Sequence, residues 1–176
     1  MSKIDEILQS KIKPKEKITL LAKEIKKDKK FVNEIVSYFE SAPAGDQGHL
    51  IESLEYASQD NPEFVAPHLD FVTQHLEDKA PRVKWECARI IANLALKFSD
   101  KTEKAIPALL KNTKDKGTVV RWSVAFALGE IVKNNPKAAK ILLPKMNEFV
   151  KKESNNGVKN FYLKAIKVLE KKNNHE

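Results

Sequence analysis

The chain has 176 residues, of which 32% are charged and 41% apolar, and a formal net charge of +8. Its single cysteine, Cys87, excludes an internal disulfide, and no apolar run approaches the length needed to cross a bilayer. The opening MSKIDEILQSKIKPKEK places charges where a secretory leader needs an apolar stretch, so the cytoplasm is the expected compartment. Charge is unevenly spread: residues 1–30 carry +5, residues 31–80 carry −9 and residues 81–176 carry +12. A surface so divided can orient a partner.

Residues 3–11 allow a short helix with Ile4, Ile7 and Leu8 on one side. Residues 15–27, through Ile18, Leu21, Ala22 and Ile25, and residues 29–40, through Phe31, Val32, Ile35, Val36 and Phe39, have the spacing of amphipathic helices. Asp28 is a candidate cap for the second of these. SAPAGDQG, residues 41–48, is the clearest break and offers Asp46 as a cap. Leu50, Ile51, Leu54 and Ala57 mark the next helix. Asn61-Pro62 opens a helix to about Leu76, with Pro67 expected to kink it. Helices then follow at about 81–97, at 101–113 with Asp100 as cap and Pro107 as kink, and at 118–134. Asn135-Pro136 starts another to about Lys151, and residues 158–171 form the last.

The second half repeats itself. Asp115, Val120, Arg121, Trp122, Val124, Ala125, Leu128 and Ile131 return 37 residues earlier as Asp78, Val83, Lys84, Trp85, Cys87, Ala88, Ile91 and Leu94. They return 38 residues later through Glu153, Val158, Lys159, Tyr162, Leu163, Ile166 and Leu169. Each unit pairs an acid with a base six residues on: Asp78/Lys84, Asp115/Arg121, Glu153/Lys159. Pro67, Pro107 and Pro144 sit in the short apolar runs VAPHL, AIPALL and LLPKM. Two helices per unit at this period signal a helical solenoid.

The pattern resembles the HEAT repeat family: a first helix with proline and leucines, an Asp in the turn, then a second helix opening Val-Arg. Residues 101–134 match best, through Pro107, Leu109, Asp115, Val120, Arg121, Ala125, Leu128 and Ile131. The tetratricopeptide Trp-Leu-Gly-Tyr pattern is absent. The resemblance implies an all-α, right-handed α-α solenoid of about 8–10 helices. It would form a single domain over residues 1–176: a degenerate cap over 1–41, central repeats over 42–134 and a C-terminal repeat over 135–176. It also implies that the acid and base of each unit form a structural ladder, bonding each turn to itself and to its neighbour.

Function is read less directly. Trp85 and Trp122 occupy one position in successive units, with Arg89 and Phe126 four residues on and Asn160 and Lys164 continuing the stripe. They either line a groove, where aromatic and basic residues make a recognition surface, or pack between repeats. The candidate partner-binding residues are Lys84, Trp85, Arg89, Arg121, Trp122, Phe126, Lys159 and Lys164. Phosphate loops, nucleophile elbows and His-Glu-x-x-His motifs are missing, and His68 and His75 lie too far apart for a metal site. HEAT-like metal hydroxylases use His-Glu pairs, and here the sole such dipeptide is His175-Glu176. The expected function is a non-enzymatic scaffold, a monomer without cofactor or metal, with a protein partner and weak, non-specific nucleic-acid affinity. The alternative is a nucleic-acid binder related to the HEAT-like alkylpurine DNA glycosylases. Those need a groove carboxylate beside the aromatics, where Glu86 and Glu130 are the nearest acids and match no motif.

Overall fold

Apolar residues three and four apart bury one stripe of each helix, and each buried stripe needs a neighbour. The structure, a computed structural model, describes residues 1–175; Glu176, the second half of the His-Glu dipeptide, lies outside them. Among the described residues the chain is all-helical. In order it forms α1 (Lys3–Gln9), α2 (Pro14–Lys27), α3 (Phe31–Phe39), α4 (Ala44–Asp60), α5 (Pro62–Val65), α6 (Leu69–Gln74), α7 (Pro81–Leu94), α8 (Ser99–Thr102), α9 (Ile106–Asn112), α10 (Thr118–Asn134), α11 (Pro136–Lys152) and α12 (Asn156–Asn173). Single 3-10 turns join α5 to α6 and α8 to α9 and close α6, so two of the predicted helices are broken rods. Pro67 lies within one of these turns, and Pro107 is the second residue of α9, two beyond the end of another. Pro144, by contrast, sits inside the uninterrupted α11.

Helices α4, α7, α10 and α12 pack on one another in sequence, and α2 extends the row through α4. The first helices of the units touch one another far less, so the α4-α7-α10-α12 row is the inner side of an α-α solenoid. The core runs without interruption from Ile4 through Leu54, Ile91 and Leu128 to Leu169. Leu128 is fully buried, as are Val120, Val124 and Ile131 on the same face of α10. Gly129 lets α12 come close: a Cβ there would stand 3.4 Å from Ala165 Cβ.

The opening helices close the stack by specific bonds. Ser2 and Asp5 form a capping box on α1, and Tyr38 Oη donates to Asp5 Oδ1 at 2.7 Å, tying α3 to α1. Several predicted caps are corrected. Asp46 lies inside the first turn of α4, which begins at Ala44, and Asp100 lies inside α8, which begins at Ser99. Asn61 makes no side-chain cap. Asn135 does cap α11, accepting from the Ala138 amide at 3.0 Å, and Asn155 caps α12. Asp28 accepts from the Lys30 amide at 2.9 Å, just ahead of α3.

Candidate functional site

The eight candidate residues fall on two separate surfaces. Lys84, Arg121 and Lys159 lie along the edge where each first helix turns into its second. Lys84 Nζ donates to Asp115 Oδ2 at 2.8 Å, and Arg121 Nε donates to Glu153 Oε2 at 3.0 Å. Lys84 and Arg121 therefore reach forward to the acid of the next unit, not back to the acid six residues before them. Arg121 also grips its own turn, through Nη1 to the Asp115 carbonyl at 2.9 Å.

The acids are clamped from both sides. Asp78, Asp115 and Glu153 each accept from the backbone amide two residues on, those of Ala80, Gly117 and Asn155, at 2.8, 2.8 and 2.9 Å. Burial alone would raise the carboxyls of Asp115 and Glu153. Lys84 with the Gly117 amide, and Arg121 with the Asn155 amide, outweigh it and hold both below the ordinary carboxylate range. The edge is a structural ladder. Lys159 occupies the last rung, and none of the described residues offers it a carboxylate.

The inner face carries the other five. On α7, Trp85 is half-buried and its Nε1 donates to Glu86 Oε1 at 3.0 Å. Arg89 lies between Glu55 of α4 (3.7 Å) and Glu86 (3.9 Å). Glu55 also accepts from Asn93 at 3.1 Å and from Gln59 at 2.9 Å. Arg82 pairs with Glu52 and crosses Gly48, where a Cβ would stand 2.7 Å from Arg82 Nη1. A side chain at this position would push the flexible end of Arg82 aside. Glu86 is 3% exposed. Burial, reinforced by the Glu55 charge and only partly offset by Arg89, pushes its carboxyl up to about 7. Polar bonds thus hold the α4–α7 junction.

The α10–α12 junction is aromatic. Trp122 packs edge-on against Phe161 of α12, with centroids 4.6 Å apart, and Phe126 lies 5.5 Å from Phe161. Trp122 keeps 36% of its surface exposed, so it both packs between repeats and shows a face to solvent. Val119, one turn before it on α10, is 50% exposed, while Leu163, 42% exposed, lies on the side of α12 turned away from α10. Lys164 is exposed on α12, with Lys167 one turn on. Equal spacing does not signal Phe161: the same position holds Ser123 in α10 and Glu86 in α7. Nor does the repeat pattern point to Glu55, Asn93 or Val119.

Stacked helical pairs, a continuous core and a ladder between successive turns define an α-solenoid, a class that presents one extended inner face. The profile of the family described as HEAT repeats matches residues 68–151, so this stretch is similar to HEAT repeats, within a chain whose fold is a HEAT-like α-solenoid. No curated protein matches the sequence. Among solved structures, an engineered protein superposes with a TM-score of 0.72 at 20% identity, over 95% of this chain and 47% of its own. The present chain thus spans about half the length of that protein. Computationally designed armadillo repeat proteins for modular peptide recognition give 0.71 at 18% identity, over 94% of this chain and 80% of theirs. A designed armadillo repeat protein in complex with the peptide (KR)4 gives 0.70 at 16% identity, with the same coverages. These likenesses concern the fold. Among the described residues no helix is long and apolar enough to cross a membrane.

Proposed function

We propose that this chain is a non-enzymatic scaffold, working as one unit over residues 1–176, whose inner face at α10–α12 receives a segment of another protein. The carrying observation is the Trp122-Phe126-Phe161 cluster, with Trp122 and Val119 exposed, Phe126 and Phe161 half-buried, and Lys164 one turn from Phe161 on α12. An apolar, aromatic centre with a charged rim is the anatomy of an interface. The similar designed armadillo proteins are described as recognising peptides, one of them (KR)4. That peptide's charge suits this chain poorly, since residues 81–176 are themselves +12. The proposal places a monomeric scaffold in the cytoplasm, a compartment that suits the single buried thiol of Cys87.

Glu86 weighs against the glycosylase reading, because a carboxyl buried under Trp85 and half-protonated near neutrality is a poor counter-charge for a cationic sugar. The acidic stretch 31–80 also repels a long duplex laid along the stack. The test is affinity capture from the native cell with nuclease treatment, followed by titration of the captured protein. Trp122→Ala should weaken that complex by ~30-fold, the effect of losing one interface anchor. Duplex DNA should bind weakly and lose affinity steeply with salt. Tight lesion- or sequence-dependent binding to duplex at physiological salt refutes the proposal.

A further inference from the structure

A second surface lies away from the inner face, on the ladder edge between the last two turns. There a cleft of about 390 Å³ opens between the segment before α10 and the junction of α11 and α12. Lys114, Lys116 and Lys152 line it, all exposed and none in an ion pair among the described residues. The two acids at its floor are already engaged: Asp115 by Lys84, Glu153 by Arg121. Tyr162 forms part of the wall beside Phe149, their rings 5.5 Å apart.

Tyr162 is the unusual member. It is 2% exposed overall, and its hydroxyl, which makes no hydrogen bond to the described residues, reaches solvent at the cleft. A ligand that displaces water there must offer the hydroxyl an acceptor. Burial and the nearby Glu153 push the phenol up, so it stays a proton donor at any physiological pH. Nor is it a requirement of the repeat. The matching positions are Cys87 and Val124, which bury the same space without a donor. In the preceding turn the Lys114 position holds Glu77, paired with Lys111. Three lysines without ion pairs among the described residues and a phenolic donor therefore line this one cleft.

Resting on the scaffold reading, we infer that this cleft binds an acidic segment of the protein partner, two neighbouring carboxylates meeting the lysines and the Tyr162 hydroxyl. Its size accommodates two side chains, and the Phe149 ring gives their methylene stems an apolar wall. The partner would then span two surfaces, an apolar stretch on the inner face and an acidic one on the edge, and gain from their linkage.

The experiment titrates the full chain with fluorescein-labelled (DE)4 peptide at physiological salt, with a chemical-shift map of the wild-type protein alongside. Lys114→Glu with Lys152→Glu should lower affinity by ~10-fold or more, since each reversal replaces an attraction with a repulsion. Tyr162→Phe should lower it by ~5-fold while leaving the melting temperature unchanged, because the hydroxyl supports nothing inside the fold. Trp122→Ala should leave this peptide untouched. Shifts confined to the cleft residues support the inference. Equal affinity in all variants, shifts centred on the inner face, or a stronger response to an oligonucleotide of the same charge would overturn it. Loss of Trp122-dependent capture with (DE)4 binding intact would instead refute the scaffold reading alone.

Discussion

Replacing Arg121 with alanine separates the ladder from any role in binding. The guanidinium contacts Glu153 through two nitrogens, at 3.0 and 3.3 Å, and the Asp115 carbonyl at 2.9 Å. The Arg side chain is 17% exposed and the Glu 8%, so the pair is largely desolvated. Breaking a fully buried pair costs about 3–5 kcal/mol, because the surviving charge is stranded. Here Glu153 keeps the Asn155 amide, and Arg121 is not wholly out of water, which brings the expectation down to about 2–3 kcal/mol. Urea unfolding should show the loss as a lower midpoint at constant slope. The cycle with Glu153→Gln should recover at least about half of it as coupling, since the neutral amide strands no charge. A shift below about 0.5 kcal/mol, typical of an exposed pair, or strict additivity of the two changes, would show that the ladder does not hold the α10–α12 junction.

Leu128→Ala removes a fully buried side chain at the centre of α10 and should cost about 2–5 kcal/mol by the same urea assay, spreading to neighbouring repeats; an unmoved midpoint contradicts the packing. Glu86 gives a pH signature. Its folded pKa, about 7, stands above the ordinary 4.5, so between those values the unfolded chain ionises first and stability falls as pH rises, by about 3 kcal/mol in all. Glu86→Gln should abolish that slope and leave the variant more stable than the parent at pH 8; a parent whose thermal midpoint stays level from pH 4.5 to 7 refutes it. Asp115 and Glu153, held low, act in the opposite sense: their contribution is whole above the ordinary carboxylate range and is lost as pH falls from there through their folded pKa values.

The fold was legible because it is written more than once. The apolar spacing around Leu128 recurs around Ile91 and Ile166, and a pattern set by burial survives changes of individual letters. Helix starts were less so: Asp46 and Asp100 look like caps, but each helix begins two or one residues earlier, since any exposed first turn welcomes an acid. The ladder was readable as types of residue but not in its direction, because an acid six residues upstream and one about thirty downstream are both within reach of a long side chain. Trp85 and Trp122 show the limit most clearly. The letter and position are the same, yet one bonds a buried glutamate and the other packs edge-on against Phe161. What differs lies on other helices, and no alignment of one unit on the next contains it. The repeat shows Tyr162 only as a core position; its hydroxyl and the lysines of the cleft come together only in three dimensions.

The forward reach of Lys84 and Arg121 bears on how such a chain can grow. A tandem copy of residues 116–153 would carry its own Arg121 and its own Glu153. Both new seams along the edge would close with the bonds already in use, and Lys84 would still find Asp115. The inner face would not tile so easily: in the duplicate, Trp122 of the first copy would meet Ser123 of the second where it now meets Phe161. The edge is thus a universal coupling that admits insertion, while the inner face is particular to each seam. A lengthened chain would keep its fold at once and would have to rebuild its recognition surface residue by residue.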